Sequence, residues 1–183
     1  MLIETERLVI RDLGVSDVEA LARMWCDREV TRFMGGPRDA AEVRRILAED
    51  AGSASRPDMD LWPVQEKGSG QVIGHCGLLE KEVDGRAEVE LVYVLDRAAW
   101  GRGYATEAAA AIQGHAREHL GLQRLIALID PENRASERVA LKVGMRFERE
   151  TLRPGGKLMR VYAWQAEETE NVNPNFVQYL GKT

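Results

Sequence analysis

The sequence predicts an α+β chain built on one mixed, mostly antiparallel sheet, and three observations carry that prediction. Strand-like runs at 61–66, 72–79 and 87–95 follow one another across short glycine-bearing turns, the pattern of an antiparallel meander. The run at 87–95, a helix-like run after Gly103 and an apolar run at 122–130 then make a β-α-β unit, whose two strands must lie parallel. Two capped helical runs precede the meander, and no internal repeat interrupts the order.

Taken in order, Arg7 to Arg11 alternates charged and apolar residues like an edge or outer strand. Ser16-Asp17-Val18-Glu19 has the spacing of a capping box and opens a helix with Val18, Leu21 and Trp25 on one face. Gly35-Gly36-Pro37 breaks the chain, and Asp39-Ala40-Ala41-Glu42 repeats the cap before Val43, Ile46 and Leu47. Residues 49–60 read as a loop. Leu61 to Glu66, Val72 to Leu79 and Ala87 to Leu95 are the meander, turned by Lys67-Gly68-Ser69-Gly70 and Val83-Asp84-Gly85-Arg86.

Past the glycine segment, Ala105, Ala109, Ile112 and Ala116 form one helical stripe of small and apolar residues, with Gly121 as its expected stop. Leu122 to Asp130 is the apolar strand. Asn133 then caps a short helix through Val143, stopped by Gly144, before Met145 to Glu150 and Lys157 to Gln165 pair across Arg153-Pro154-Gly155-Gly156. Residues 1–165 are expected to form one domain. Residues 166–183 read as a polar C-terminal tail that docks through Phe176 and Tyr179.

Composition narrows the function. The 183 residues carry a formal net charge of −5, against a general binder of nucleic acid or anionic membrane, which needs a basic surface. Cys26 and Cys76 lie fifty positions apart without metal-ligand spacing and read as reduced, buried thiols. The N-terminus carries acids where a signal peptide carries bases, and no apolar run reaches the length of a membrane span. A cytoplasmic protein is expected, and the sequence admits a homodimer.

The chemistry concentrates in Trp100-Gly101-Arg102-Gly103-Tyr104-Ala105-Thr106-Glu107-Ala108. Glycines where a strand hands over to a helix let several backbone amides converge on one anion, and the helix adds the positive end of its dipole. That is a phosphate cradle. A dinucleotide fingerprint fails because Thr106 replaces the third glycine and no acid follows about 20 residues on. A P-loop fails because Gly181-Lys182-Thr183 ends the chain and Phe176 stands where its first glycine belongs. A glycine pair that only makes a turn is the remaining competitor.

These residues resemble the GNAT superfamily of acyl-CoA-dependent N-acyltransferases, and within it the RimJ/RimL branch. The resemblance runs over about residues 2–165. It is carried in order by Thr5 to Arg11, Gly74-His75-Cys76-Gly77-Leu78, Glu90-Leu91-Val92-Tyr93, Trp100 to Ala108, and Asn133-Arg134-Ala135-Ser136 leading to Lys142-Val143-Gly144-Met145. In the family pattern Gln/Arg-x-x-Gly-x-Gly/Ala, Gly103 and Ala105 hold the small positions and Trp100 departs from the first. The resemblance implies a sheet splayed between its two parallel strands, with helices on both faces, and acetyl-CoA as co-substrate without a metal.

It also implies roles. Amides from Arg102, Gly103, Tyr104, Ala105 and Thr106 would hold the CoA pyrophosphate, and the backbone of Tyr93, Val94 and Leu95 would pair with the pantetheine arm like an added strand. Asn133 and Ser136 would line the far side of the cleft, with Lys142 near the phosphates. Helix capping by Asn133 and surface solvation of Lys142 compete with those roles. Acyl transfer to an amine needs a neutral nucleophile and a proton path for the departing thiolate. Glu90 is the candidate base or amine anchor, with Glu88 on the same strand face, and a merely solvated strand residue is the competing reading. The tyrosine general acid that many GNAT enzymes carry seven residues after the asparagine is Ala140 here, so Tyr93, or Ser136 with water, is the candidate substitute.

The expected activity is acetyl transfer from acetyl-CoA to a primary amine, a protein N-terminus or a small amine, by direct attack in a ternary complex. A non-catalytic acyl-CoA sensor is the alternative, motivated by Ala140. Arg28, Arg32, Arg38 and Arg44 on the acceptor side would suit an acidic acceptor, but solvated surface is the reading the sequence favours. His115-Ala116-Arg117-Glu118-His119 matches a zinc pattern, but its helix is already assigned to the cradle and no third ligand is evident. His75, among apolar strand residues, reads as a satisfied buried histidine.

Overall fold

The computed structural model describes residues 1–53 and 58–166. Eight strands form one sheet: β1 Leu2–Glu4, β2 Leu8–Arg11, β3 Leu61–Glu66, β4 Val72–Val83, β5 Arg86–Leu95, β6 Arg124–Ile129, β7 Arg146–Arg153 and β8 Lys157–Gln165, in the spatial order β1-β2-β3-β4-β5-β6-β8-β7. Four helices complete the fold: α1 Val18–Cys26, α2 Ala40–Gly52, α3 Tyr104–Glu118 and α4 Arg134–Lys142. Every neighbouring pair is antiparallel except β5 with β6.

That parallel pair positions the site. Glu90 opposite Ile126 is its one bridge, and beyond it the two strands separate. The α3 helix crosses between them, as a β-α-β connection must. Of the expected stripe, Ala109, Ile112 and Ala116 are fully buried against Leu91, Leu95 and Leu125, with Ala140 of α4 in the same core; Ala108 completes that face, while Ala105 is half-buried and lines the cleft. Alanines let the α3 backbone approach the sheet closely. On the opposite face Leu21 and Met24 of α1 and Leu47 of α2 pack on Val94, with Val92 beside them. Helices therefore cover both faces, as expected.

Two strand glycines have a steric cause. A Cβ on Gly74 would collide with the Val94 carbonyl, and one on Gly77 with the Asp60 carbonyl, so β4 lies too close to its neighbours for any side chain there.

The structure corrects several local expectations. The Ser16–Glu19 box does not form, because a 3-10 turn over Val15–Asp17 already encloses Ser16 with Gly14 as its N-cap, and Glu19 pairs with Arg44 of α2 (2.9 Å). Asp17 closes the turn instead: it accepts from the Gly14 amide at 2.8 Å and takes both arms of the Arg11 guanidinium at 2.7 and 3.0 Å. The expected loop at 49–60 begins later, since α2 runs to Gly52, helped by Arg45 bridging Glu42 and Glu49 at three- and four-residue spacing. The β4–β5 hairpin is longer than read, turning at Asp84 and Gly85, both at positive φ, with Asp84 tied to Thr151 (2.6 Å) and Arg149 (3.1 Å) of β7. The short strand β1 was not anticipated. The Met1 ammonium bonds both Asp12 oxygens at 2.9 Å and holds that strand in place. Ala166 ends the described residues by donating to the Gln123 carbonyl, and the expected docking of Phe176 and Tyr179 lies outside them. No described helix is long and apolar enough to cross a membrane.

Candidate active site

Where β5 and β6 part, a cleft of about 490 Å³ passes through the sheet. Of the residues singled out by sequence, Glu90, Tyr93, Val94, Leu95, Gly103, Tyr104, Ala105, Thr106, Asn133, Ser136 and Lys142 line it, and Arg102 does not. Arg102 turns outward to Glu66 (2.9 Å) and lies over the Tyr104 ring.

At one end stands the start of α3. Gly103 is its N-cap at φ +83°, a left-handed conformation costly for any residue with a side chain. The first intrahelical bond runs from the Glu107 amide to the Gly103 carbonyl at 3.1 Å, and among the described residues nothing accepts from the amides of Gly103, Tyr104, Ala105 and Thr106. Four converging donors at the positive end of a fifteen-residue helix can hold an anion.

This end is locked from behind. The Glu107 carboxylate accepts from the Thr5 hydroxyl (2.6 Å), the Arg7 amide (2.9 Å) and Arg7 Nε (2.7 Å), while Arg7 Nη1 donates to the Arg102 carbonyl (2.9 Å). Burial pushes the Glu107 carboxyl up, but these donors outweigh it and hold it below its ordinary value. The Arg7 and Arg102 guanidiniums lie 4.6 and 4.8 Å from the centre of the Tyr104 ring, and the Tyr104 hydroxyl donates to Glu66. The partner of the Thr5–Arg11 motif is therefore Glu107, a hundred positions on, which nothing local in the sequence connects to it.

Along the strand edge, the Asp96 amide donates to Ile73, which fixes the alternation of β5: the N–H and C=O of Val94 turn to β4, and those of Tyr93 and Leu95 turn to the split. Val94 therefore offers the cleft its side chain, and its main chain is committed to His75. The Leu95 carbonyl accepts from the Trp100 indole at 2.8 Å, which leaves the Tyr93 N–H and C=O and the Leu95 N–H as the exposed edge. Trp100, half exposed, is thus a strand cap.

On the α4 side, Asn133 accepts from the Ser136 amide and donates to the Ser136 hydroxyl, both at 3.1 Å, so it is a helix cap that also faces the cleft. The Tyr93 hydroxyl donates to the Ser136 carbonyl at 2.9 Å, and burial pushes its phenol well up. Ala140, where a general-acid tyrosine was sought, points into the core with no exposure. Lys142 is exposed at the rim.

The other face of the sheet carries Glu90. Its carboxylate sits in the fork, where burial pushes its pKa up while the Lys81 ammonium, 3.9 Å away, and a backbone hydrogen bond from Leu128 pull it down; the net direction is upward. Glu88, on the same strand face, is taken by both arms of Arg124 at 2.9 and 3.0 Å and does not reach the cleft. Glu29, Val30, Phe33 and Met34 of the α1–α2 connection, with Asp130 and Met159, complete this end. Those residues carried no sequence signal. Arg28, Arg32, Arg38 and Arg44 do not line it: Arg38 bonds the Met34 carbonyl, Arg44 pairs with Glu19, and Arg32 lies over Phe33.

The remaining candidates lie elsewhere. The His115 and His119 rings stack at 4.9 Å near the end of α3, His119 exposed rather than turned inward, and among the described residues no three His, Cys, Asp or Glu side chains gather to hold a metal ion. His75 is buried, accepts the Trp25 indole proton on Nδ1 at 3.2 Å, and has no partner for Nε2 among the described residues, so it is only half satisfied.

A family model, the acetyltransferase (GNAT) domain, matches residues 7–146. The uncharacterized N-acetyltransferase p20 of Bacillus licheniformis is 30% identical over 175 residues, covering 91% of this chain and 96% of its own. The crystal structure of a GNAT-family acetyltransferase from Bacillus anthracis superposes with a TM-score of 0.77 at 29% identity, over 92% of this chain and all of that one. RimL, a ribosomal-protein alpha-N-acetyltransferase solved with coenzyme A, shares the fold at a TM-score of 0.73 and 16% identity, over 91% of this chain and 98% of that one. The match to the domain model across most of the chain, together with these relatives, makes this protein a member of the GNAT acetyltransferase family and an acyltransferase enzyme.

Proposed function

We propose that the enzyme moves an acetyl group from acetyl-CoA to a primary amine, an α-amino group or a small amine, by direct attack while both substrates are bound, in the manner of the RimJ/RimL branch. The observation that carries this reading is one cleft with a helix-terminus anion cradle at one end and the Glu90 carboxylate at the fork of the parallel strands.

The residues present fit the coenzyme. Four unpaired amides at Gly103 to Thr106 suit a diphosphate, Lys142 adds a cation at the rim, and the free edge of Tyr93 and Leu95 suits an amide-bearing arm. Bound there, acetyl-CoA supplies an acyl carbon carried on a thiolate leaving group. The chain's own residues do the rest. Glu90, ionised, takes a proton from the ammonium form of the amine so that nitrogen can attack with its lone pair; the new C–N bond forms, the C–S bond breaks with its electron pair going to sulfur, and the second proton shed by nitrogen passes through water to the departing thiolate. An α-amino group, with a reference pKa near 7.7–8.0, asks less of that base than a lysine near 10.4. The thiolate of an ordinary thiol, pKa about 8.5, leaves without a dedicated acid, in keeping with a Tyr93 proton already committed to Ser136.

Thiol release from acetyl-CoA, followed across peptides with free N-termini, polyamines and amino acids, tests the proposal. Transfer to at least one primary amine, with a product acetylated on nitrogen, is the expected outcome. CoA binding without transfer to any of them would instead favour the sensor.

A further inference from the structure

Lys157 does not line the cleft, yet it touches both walls of the acceptor end. It opens β8 immediately after the turn from β7, and its ammonium donates to the Phe33 carbonyl at 2.7 Å and stands 3.0 Å from the Asp130 carboxylate. Phe33 belongs to the α1–α2 connection and Asp130 follows β6, and both line the cleft. The second Asp130 oxygen accepts from the Glu132 amide at 3.0 Å, so that carboxylate is held from two sides.

The segment around Phe33 needs such a tie. Its described backbone bonds are local: Thr31 to Asp27, Met34 and Gly36 to Thr31, and Arg38 to Trp25. Val30 and Met34 pack on the apolar cluster under α1, but among the described hydrogen bonds of residues 28–38 the one to Lys157 alone reaches another part of the fold. With one long-range hydrogen bond and two apolar anchors, such a connection opens locally more readily than the sheet it faces. The Lys157 stem is long enough to span the gap, and its charge is neutralised by Asp130 in the same act.

We propose that Lys157 is a positioning residue for the amine acceptor: by stapling the Phe33 segment to the end of β6 it fixes the width of the acceptor mouth in front of Glu90. The inference rests on the reading of the cleft as an acetyl-transfer site, with the amine entering from the Glu90 face. It assigns Lys157 no contact with the coenzyme, whose cradle lies on the other face of the sheet.

The test compares wild type with K157M, which removes both bonds, and K157R, which keeps the charge and can reach both acceptors. Steady-state constants are measured for acetyl-CoA and for two amine probes, a short peptide with a free N-terminal serine and spermidine. Coenzyme affinity by calorimetry and amide hydrogen exchange of residues 28–38 accompany them. In K157M, kcat/KM for the amine that is turned over falls about tenfold, the acetyl-CoA KM stays within about twofold, and exchange over 28–38 accelerates; K157R recovers most of each. K157Q takes the place of K157M should the latter fail to fold. Unchanged amine constants and exchange in K157M, or equal losses for amine and acetyl-CoA, would overturn the staple. A wild type that binds no CoA would overturn the transfer reading instead, while the exchange comparison still decides whether Lys157 holds the wall.

Discussion

The Arg7 guanidinium and the Glu107 carboxylate meet across a hundred residues of sequence, and the same guanidinium holds the Arg102 carbonyl one peptide before the cradle. The first strands of the chain thereby set the orientation of the Arg102–Gly103 peptide, and hence where the first free amide of α3 points. Both R7A and E107Q are expected to weaken CoA binding several-fold with little change in the amine KM, because the tie lies behind the cradle and away from Glu90. Calorimetric CoA affinity and the two Michaelis constants check this, and R7K should recover little, since one ammonium cannot serve Glu107 and Arg102 in the fork geometry of arginine.

Gly103 and Gly101 separate strain from function. Both have positive φ, +83° and +73°, so alanine at either pays a similar backbone penalty of about 1–2 kcal/mol. Both glycines line the cleft, but Gly103 alone is the N-cap of α3 and supplies one of its free amides to the cradle. G103A and G101A should therefore lose comparable thermal stability, while CoA affinity falls about tenfold more in G103A than in G101A. Equal affinities in the two variants would remove the cradle from the argument.

Glu90 predicts a pH profile. As a base it must be ionised, and burial places its pKa above the ordinary glutamate value despite Lys81. With saturating coenzyme, kcat/KM for the amine should thus rise with pH through an acid limb lying above about 4.3, the usual carboxylate value. In K81M the limb moves to higher pH, because the cation that favours the ionised form is gone. E90Q removes the limb and lowers kcat/KM by about 100-fold or more.

For Tyr93 the expected effect is small. Its hydroxyl proton is directed at the Ser136 carbonyl, and burial disfavours the phenolate, so it is poorly placed to protonate a departing sulfur. Y93F should lower kcat by about tenfold or less, chiefly by removing one hydrogen bond that ties β5 to α4 across the cleft. Near-complete loss of turnover at unchanged CoA affinity would restore Tyr93 as the acid.

Much of this site was legible in the sequence because its parts are local. A glycine pair ahead of an alanine-rich helix announces an anion site, and period-two alternation places Glu90 and Glu88 on one face of one strand. What could not be read is what the fold brings together from a distance. Glu88 and Glu90 look alike in sequence, and only the position of Arg124 on β6 takes the first out of the cleft. The acceptor wall of Phe33, Met34 and Met159 comes from a connection and a strand more than a hundred residues apart, with no spacing rule to join them. Of the four arginines near that wall, Arg38 bonds the Met34 carbonyl, Arg44 pairs with Glu19 and Arg32 lies over Phe33, and none of the four lines the cleft. The cap expected at Ser16 moves to Gly14, because Asp17, held by Arg11 of β2, closes the turn one step earlier.

His75 gives a stability prediction independent of catalysis. It is buried on β4 and neutral, with burial driving its pKa down to about 4 and the nearby Asp17 charge opposing that shift. The unfolded chain binds a proton at His75 near pH 6.5, whereas the folded chain resists until about 4. Between those values the unfolded state binds more protons, so stability contributed above pH 6.5 is lost as the pH falls, by about 3 kcal/mol at its full extent. Asp17 does not share that window: burial raises its pKa, but Arg11 and the Gly14 amide pull it below the ordinary aspartate value. Urea midpoints measured from pH 7 to 4 should therefore decline steeply in wild type. In H75L the same decline is shallower, although the variant is less stable at pH 7 for want of an acceptor for the Trp25 indole. Parallel slopes in the two proteins would mean that His75 takes up its proton at the same pH folded as unfolded, against the burial that drives its pKa down.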